Sequence, residues 1–221
     1  MMIITIDGPA SAGKGTLASN LSHKYGMAYF DTGMVYRAVG LQMVLAGKAL
    51  ENEAAAEKEA QALTFPKMME LSKHKDFRSD IGGKAASIVA AMPKVRQALL
   101  KMQQDFAKNP VFADGSKANG AIYDGRDTGT VVCPDADIKL FVTASPEVRA
   151  ERRYKEFLQK GINKTYAEVL AQIKERDDRD SNRAAAPLKP AADAVIFDTS
   201  EYNASQVFEK VCRIIDKKLE K

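Results

Sequence analysis

The chain has 221 residues, enough for one full α/β domain with inserts and short for two independent ones. Hydrophobic content of 45% and charged content of 28% are ordinary for a soluble globular protein, and no apolar run is long enough to span a membrane. The net charge of +4, without dense basic runs interleaved with aromatics, fits an anionic small ligand better than nucleic acid.

Cys133 and Cys212 have no metal or redox spacing, so a reducing compartment, the cytoplasm, is expected. Because the opening apolar run reads as a core strand, no leader peptide is expected.

That run, Met1 to Ile6, leads into Gly8-Pro9-Ala10-Ser11-Ala12-Gly13-Lys14-Gly15-Thr16 and then a helix-like stretch. Strand, glycine-rich turn and helix form the context of a phosphate-binding loop. Glycines let successive N–H groups turn toward one anion, and the helix dipole adds its positive end. Lys14 supplies a mobile charge for the β and γ phosphates, and Thr16 a hydroxyl for magnesium. A ligand-free glycine turn would not require Gly, Gly, Lys and Thr in this register. Gly15 stands where the general pattern has Ser or Thr, and this Gly-Lys-Gly-Thr variant resembles the loop of nucleoside monophosphate kinases.

Met27 to Phe30 is a short strand ending at Asp31-Thr32-Gly33, where open α/β sheets place ligands. Thr32 or Asp31 can cap the next helix. Arg37, in an otherwise apolar first turn, points into the ligand crevice or into solvent, and spacing leaves both open. Glu51 to Ala62 reads as a helix with a solvated face. Leu63 to Asp80 is irregular and reads as a mobile insert with a surface histidine, His74. Lys84 to Phe106 has helical periodicity interrupted at Pro93, with Ser87 and Arg96 among its apolar residues. Taken alone, these two read as a back-bonded serine and a salt-bridge partner.

The strand Ala121-Ile122-Tyr123 ends in Asp124-Gly125-Arg126-Asp127-Thr128-Gly129. A guanidinium between glycines suits bidentate contact with a phosphate. After the strand Ile138 to Val142, Ser145-Pro146 starts a helix carrying Arg149, Arg152, Arg153 and Lys155, which Lys160-Gly161 ends. This basic helix is either a lid over phosphates or a solvated face. Thr165 and Glu168 are in capping-box register. Their helix runs into Arg176, Arg179, Asp180 and Arg183, where offsets of four and seven put Asp180 and Arg183 on the face of Arg176. That face suits phosphate and ribose, against the alternative of a self-neutralising surface network. Ala194 to Phe197 is the last strand, and an amphipathic helix with Cys212 on its apolar side closes the chain.

The alternation predicts a parallel sheet of five strands with helices on both faces. The Gly-Lys-Gly-Thr loop, Asp31 to Arg37, Asp124 to Val132 and Glu175 to Arg183 follow in this order, and together they resemble bacterial cytidylate (CMP) kinases over nearly the whole chain. The resemblance implies a three-layer P-loop NTPase-type fold over residues 1–221, with a monophosphate-binding insert at about 60–85 and a lid at about 150–165. It implies that Gly8 to Thr16 hold ATP with Mg²⁺ at Thr16, and that Thr32 sits beside the acceptor. Arg37, Arg126 and Arg183 would grip the phosphate of CMP. Ser87, Arg96 and Asp127 would read cytosine, and Arg176 and Asp180 would contact the ribose, admitting dCMP. Lys14, Arg126, Arg152, Arg153 and Arg183 would carry the catalytic charge. Many relatives have a small β-sheet in the insert, for which Leu63 to Arg78 is too short. A monomer without nucleic-acid or membrane partners is expected. The rival readings are a kinase for another small acceptor and a nucleotide sensor without transfer.

Overall fold

The computed structural model describes residues 1–220. Five strands, β1 (Met2–Asp7), β2 (Ala28–Asp31), β3 (Gly120–Gly125), β4 (Ile138–Thr143) and β5 (Val195–Asp198), pair in parallel in the order β2-β3-β1-β4-β5. The helices are α1 (Lys14–Tyr25), α2 (Gly33–Leu45), α3 (Glu53–Ala62), α4 (Phe65–Leu71), α5 (Asp80–Val89), α6 (Pro93–Lys108), α7 (Pro146–Gln159), α8 (Tyr166–Asn182) and α9 (Ala204–Leu219). The expected parallel sheet is present, strand for strand.

Strand periodicity divides the core in two. Ile4 and Ile6 of β1, Ile122 of β3, and Leu140 and Val142 of β4 face α1 and α9, where Leu17, Leu21, Val211 and Ile215 meet them. Ala121 and Tyr123 of β3 and Phe30 of β2 face the other way, onto the apolar sides of α2 to α6. Each sheet face is therefore covered, as parallel sheets require. The strand exits consequently gather at one end, around the central β1, and all candidate ligand residues lie there.

Pro93 divides the long periodic stretch into α5 and α6, since it suits a first helical turn and not an interior. The insert is more ordered than its sequence suggests. Thr64 caps α4 by accepting from Lys67 N at 3.3 Å, with Pro66 in the first turn. Among the described residues 63–89 there are helices and no strand. The insert sits tightly on α2, because a Cβ on Gly40 would lie 2.8 Å from the Ala85 carbonyl carbon.

α7 and α8 form a hairpin with a core of its own, Ala150 and Phe157 against Val169 and Ile173. Both caps expected there are formed. Ser145 accepts from Val148 N at 3.3 Å, and Thr165 accepts from Glu168 N at 3.2 Å while the Glu168 carboxylate takes Thr165 N at 2.7 Å. No described helix is long and apolar enough to cross a membrane.

Candidate active site

The phosphate loop leaves β1 at Gly8, whose φ of 148° and close approach to Val142 O exclude any Cβ. Ser11 at φ 61° lies in the left-handed region, a cost of about 1–2 kcal/mol for a side chain other than glycine. Gly13, at φ 91°, turns the chain into α1. Lys14 folds back, donates to Pro9 O at 2.9 Å and lies 3.7 Å from Asp124 Oδ1. Ala10 to Thr16 line one cleft of about 900 Å³, at the upper end of small-molecule sites. Gly8 and Pro9 open the loop and do not line the cleft.

The same cleft collects Thr32, Arg37, Ser87, Arg96, Arg126, Asp127, Arg152, Arg153, Arg176, Asp180 and Arg183. Apart from Gly8 and Pro9, every residue singled out for the site from sequence lines this one cavity. Thr32 does not cap α2 through its side chain; its hydroxyl donates to Asp124 O at 2.9 Å. Asp31 turns back instead, and its Oδ1 accepts from Gly33 N at 2.9 Å. Arg37 takes the crevice orientation and donates to Phe77 O of the insert at 2.9 Å.

Arg126 is anchored by Asp180 Oδ2 at 2.9 Å and by Gly125 O at 3.1 Å. Arg176 Nε is 3.9 Å from the same carboxylate, beyond hydrogen-bond reach. The expected face of α8 is thereby realised, with Asp180 at its centre. Arg179 lines the same cleft and pairs with Glu175 at 3.1 Å.

The electrostatics of the cleft are unbalanced. Burial, and then the positive charge of Arg126, pushes the Lys14 ammonium down to about 8. Burial and Arg126 also lower Arg176, to about 10. Burial lowers Arg37 and Arg183 as well, with Arg96 adding to the effect on Arg183. Four cations from three parts of the chain are less stable in their charged forms than in water. Anions placed among them would reverse this.

On α6, beyond the insert, Arg96 is buried, stacks 5.2 Å from the Tyr36 ring, donates to Ala90 O at 3.0 Å and pairs with Asp127. Arg183 Nη2 approaches the other oxygen of Asp127 at 3.6 Å. Six buried side-chain atoms find no hydrogen-bond partner among the described residues, and four of them, Ser87 Oγ, Arg176 Nε, Arg179 Nε and Arg183 Nη2, belong to residues that line this cleft. Buried polar atoms are nearly always paired, so such a concentration suits a polar ligand.

The basic helix α7 divides into different roles. Arg152 donates to Thr199 Oγ1 at 3.0 Å and Thr199 O at 2.7 Å, beside the phosphate loop. Arg153 stacks 4.4 Å from the Phe157 ring and pairs with Glu156 at 2.8 Å. Lys155 pairs with Glu151 on the surface. Arg149 is neither a solvated residue nor a lining residue of the cleft, being 3% exposed and bonded to Ala144 O, Ala10 O and Asp177. Sequence reading also passed over Asp7, buried at the end of β1, whose partners Thr128 and Gly129 lie far along the chain.

The cytidylate kinase family model matches residues 4–217, from β1 to α9. A cytidylate kinase of Paramagnetospirillum magneticum is 51% identical over 216 residues, covering 98% of each chain. Another, of Rhodospirillum rubrum, is 47% identical over 220 residues and covers 100% of both chains. A crystal structure of an uncharacterized protein from Eubacterium ventriosum superposes with a TM-score of 0.53 over 98% of this chain and 99% of its own; at 11% identity this is a likeness of fold alone. The phosphate loop, the Asp-Gly-Arg-Asp exit of β3 and the arginine face of α8 all fall within the matched span, and the chain belongs to the cytidylate kinase family.

Proposed function

We propose that the protein transfers the γ-phosphoryl group of ATP to CMP and dCMP, giving CDP and dCDP. The carrying observation is the set of cations facing one another in a single cleft. The Lys14 ammonium of the phosphate loop is destabilised first by burial and then by Arg126 and Arg176, which line the same cleft. Two anions bound side by side, one on each wall, relieve that repulsion.

The chemistry then asks for placement and charge. Phosphoryl transfer passes through a loose transition state with negative charge on the equatorial oxygens. Lys14 would neutralise the donor phosphates, and Arg37, Arg126 and Arg183 the acceptor phosphate, in geometry set before reaction. An acceptor phosphate oxygen is already ionised and needs no general base, which leaves Asp124 and Asp127 to position Lys14 and Arg96. The unpartnered Ser87 Oγ, with Arg96 and Asp127, would read the cytosine edge. Arg176 and Asp180 would contact the ribose, which leaves dCMP acceptable.

Mg²⁺ fits the oxygen donors present. Thr16 is exposed on the cleft wall, with Asp31 and Asp124 lining the same cavity, and Mg²⁺ takes oxygen ligands and substrate phosphates. When bound it would supply further positive charge at the phosphates. Closure of the insert over the acceptor and of the α7–α8 hairpin over the phosphates would exclude water. Asp80 of α5 supports this, since it pairs with Lys164 of the hairpin tip and lies 3.9 Å from Arg153. The protein would act as a monomer in the cytoplasm without nucleic acid. Its two cysteines, free and buried, suit a reducing compartment.

The test is an ATP- and Mg²⁺-dependent transfer assay over CMP, dCMP, UMP, AMP and GMP. Selective ADP formation with CMP and dCMP is expected. Equal use of UMP would sink the cytosine-reading assignment, and no transfer to any acceptor would sink the kinase.

A further inference from the structure

Asp7 is the last residue of β1, immediately before the phosphate loop, and is 5% exposed. Its carboxylate does not point into that loop. Oδ1 accepts from Thr128 N at 2.8 Å and from the Thr128 hydroxyl at 2.9 Å, and Oδ2 accepts from Gly129 N at 2.7 Å. No ion pair is formed by Asp7 among the described residues. A buried carboxylate without a cation is costly unless hydrogen bonds replace the water it lost. Three donors do so here, all from one short segment, so the carboxylate holds that segment in one shape.

The segment is built for close approach to β1. A Cβ on Gly129 would lie 2.8 Å from Thr5 Oγ1, and one on Gly125 would lie 2.4 Å from Thr128 Cγ2. Thr128 to Val132 form a single π-helical turn, closed by Cys133 N donating to Thr128 O at 2.7 Å. Single π-helical turns are frequent at functional sites. Asp127, directly before this turn, sends its carboxylate the other way, to Arg96 and Arg183.

We infer that Asp7 is a positioning residue for the acceptor nucleotide: by fixing Thr128 and Gly129 it aims Asp127, and through Asp127 it aligns Arg96 and Arg183 with the strand that carries the donor loop. Asp7 does not line the cleft. Its effect therefore falls on the acceptor, although in sequence it adjoins the donor loop. The inference rests on the reading of Asp127 as an acceptor-site residue, and the controls separate the two.

The experiment measures steady-state kinetics of Asp7→Asn, Thr128→Val and Thr128→Ser with ATP and CMP, beside thermal unfolding of each. Asn at position 7 presents an amide donor to Gly129 N–H, whereas Val at 128 removes one of the three bonds. D7N is expected to raise KM for CMP by about tenfold or more, the scale of losing a charge-assisted hydrogen bond, while KM for ATP stays within about twofold. T128V shifts the same constant less, and T128S, which keeps the hydroxyl, recovers most of that shift. Lower melting temperatures with an unchanged KM for CMP would overturn the inference, leaving Asp7 as scaffold only. A rise in KM for ATP as large as that for CMP would overturn it too, by assigning Asp7 to the donor loop. If D7N does not fold, T128V decides between these outcomes. Wild-type enzyme that fails to phosphorylate CMP would instead sink the functional reading.

Discussion

Arg149 of α7 forks onto Asp177 of α8, with Nη1 3.0 Å from Oδ1 and Nη2 2.5 Å from Oδ2. The same guanidinium donates to Ala10 O of the phosphate loop at 3.2 Å and to Ala144 O at 2.8 Å. Arg149 thus ties both helices of the hairpin to the donor loop. Asp177 follows Arg176, so the pair also sets the rotation of α8 that brings Arg176 and Asp180 to the cleft.

Removing one partner is expected to cost more than removing both. Asp177→Ala leaves a buried guanidinium without its anion, a cost of about 3 kcal/mol. For a chain of this size that is a fall in melting temperature of roughly 6–12 °C. The double variant Arg149→Met with Asp177→Leu should recover part of the loss, and only part, because Ala10 and Ala144 lose their donor. Thermal unfolding of the three proteins checks this, and a double variant no better than Asp177→Ala would refute it.

Arg126→Lys should keep the fold and lose turnover by roughly 100-fold, because a point charge cannot both fork onto a phosphate and keep Asp180 satisfied. Circular dichroism and kcat are the measurements. Turnover near wild type would show that Arg126 does not hold the acceptor.

Ser87→Ala should separate function from stability. Its hydroxyl is buried without a partner among the described residues, so its removal should leave the melting temperature unchanged or slightly raised. The same change should raise KM for CMP by about tenfold. A loss of stability without any change in KM would place the serine in the scaffold instead.

What sequence could disclose followed from how near the partners lie along the chain. The phosphate loop, the Ser145 cap and the Thr165–Glu168 capping box each close within a few residues, and all three were legible. Helix α4 carried its own signals, Thr64 and Pro66, but its short length and the lysine-rich surroundings hid them. Arg176–Asp180 and Glu175–Arg179 are both pairs four residues apart, so spacing disclosed each without telling the cleft face from a surface pair. Asp7 and Thr128 lie 121 positions apart, and Arg149 and Asp177 lie 28 apart. No local pattern announces such pairs. Only the strand order, which sets β1 beside β3, brings Asp7 to Thr128.

Lys14 gives the pH dependence. In the ligand-free protein burial and the nearby Arg126 lower its ammonium from 10.5 to about 8. Polyphosphate stabilises the charged form and so raises this pKa again; a group whose pKa rises on binding takes up protons between its two values. ATP binding should therefore be accompanied by proton uptake at about pH 8.5, where free Lys14 is largely neutral, and by little at about pH 6.5, where it is already charged. Calorimetry in buffers of different ionisation enthalpy reads the uptake directly. Lys14→Met should abolish it together with most of the ATP affinity. Apparent ATP affinity should also weaken as pH rises through about 8, since part of the binding energy then goes to protonating the lysine. Identical binding heats in all buffers at the higher pH would mean that Lys14 is charged before ATP arrives, and that burial and Arg126 do not hold its ammonium down.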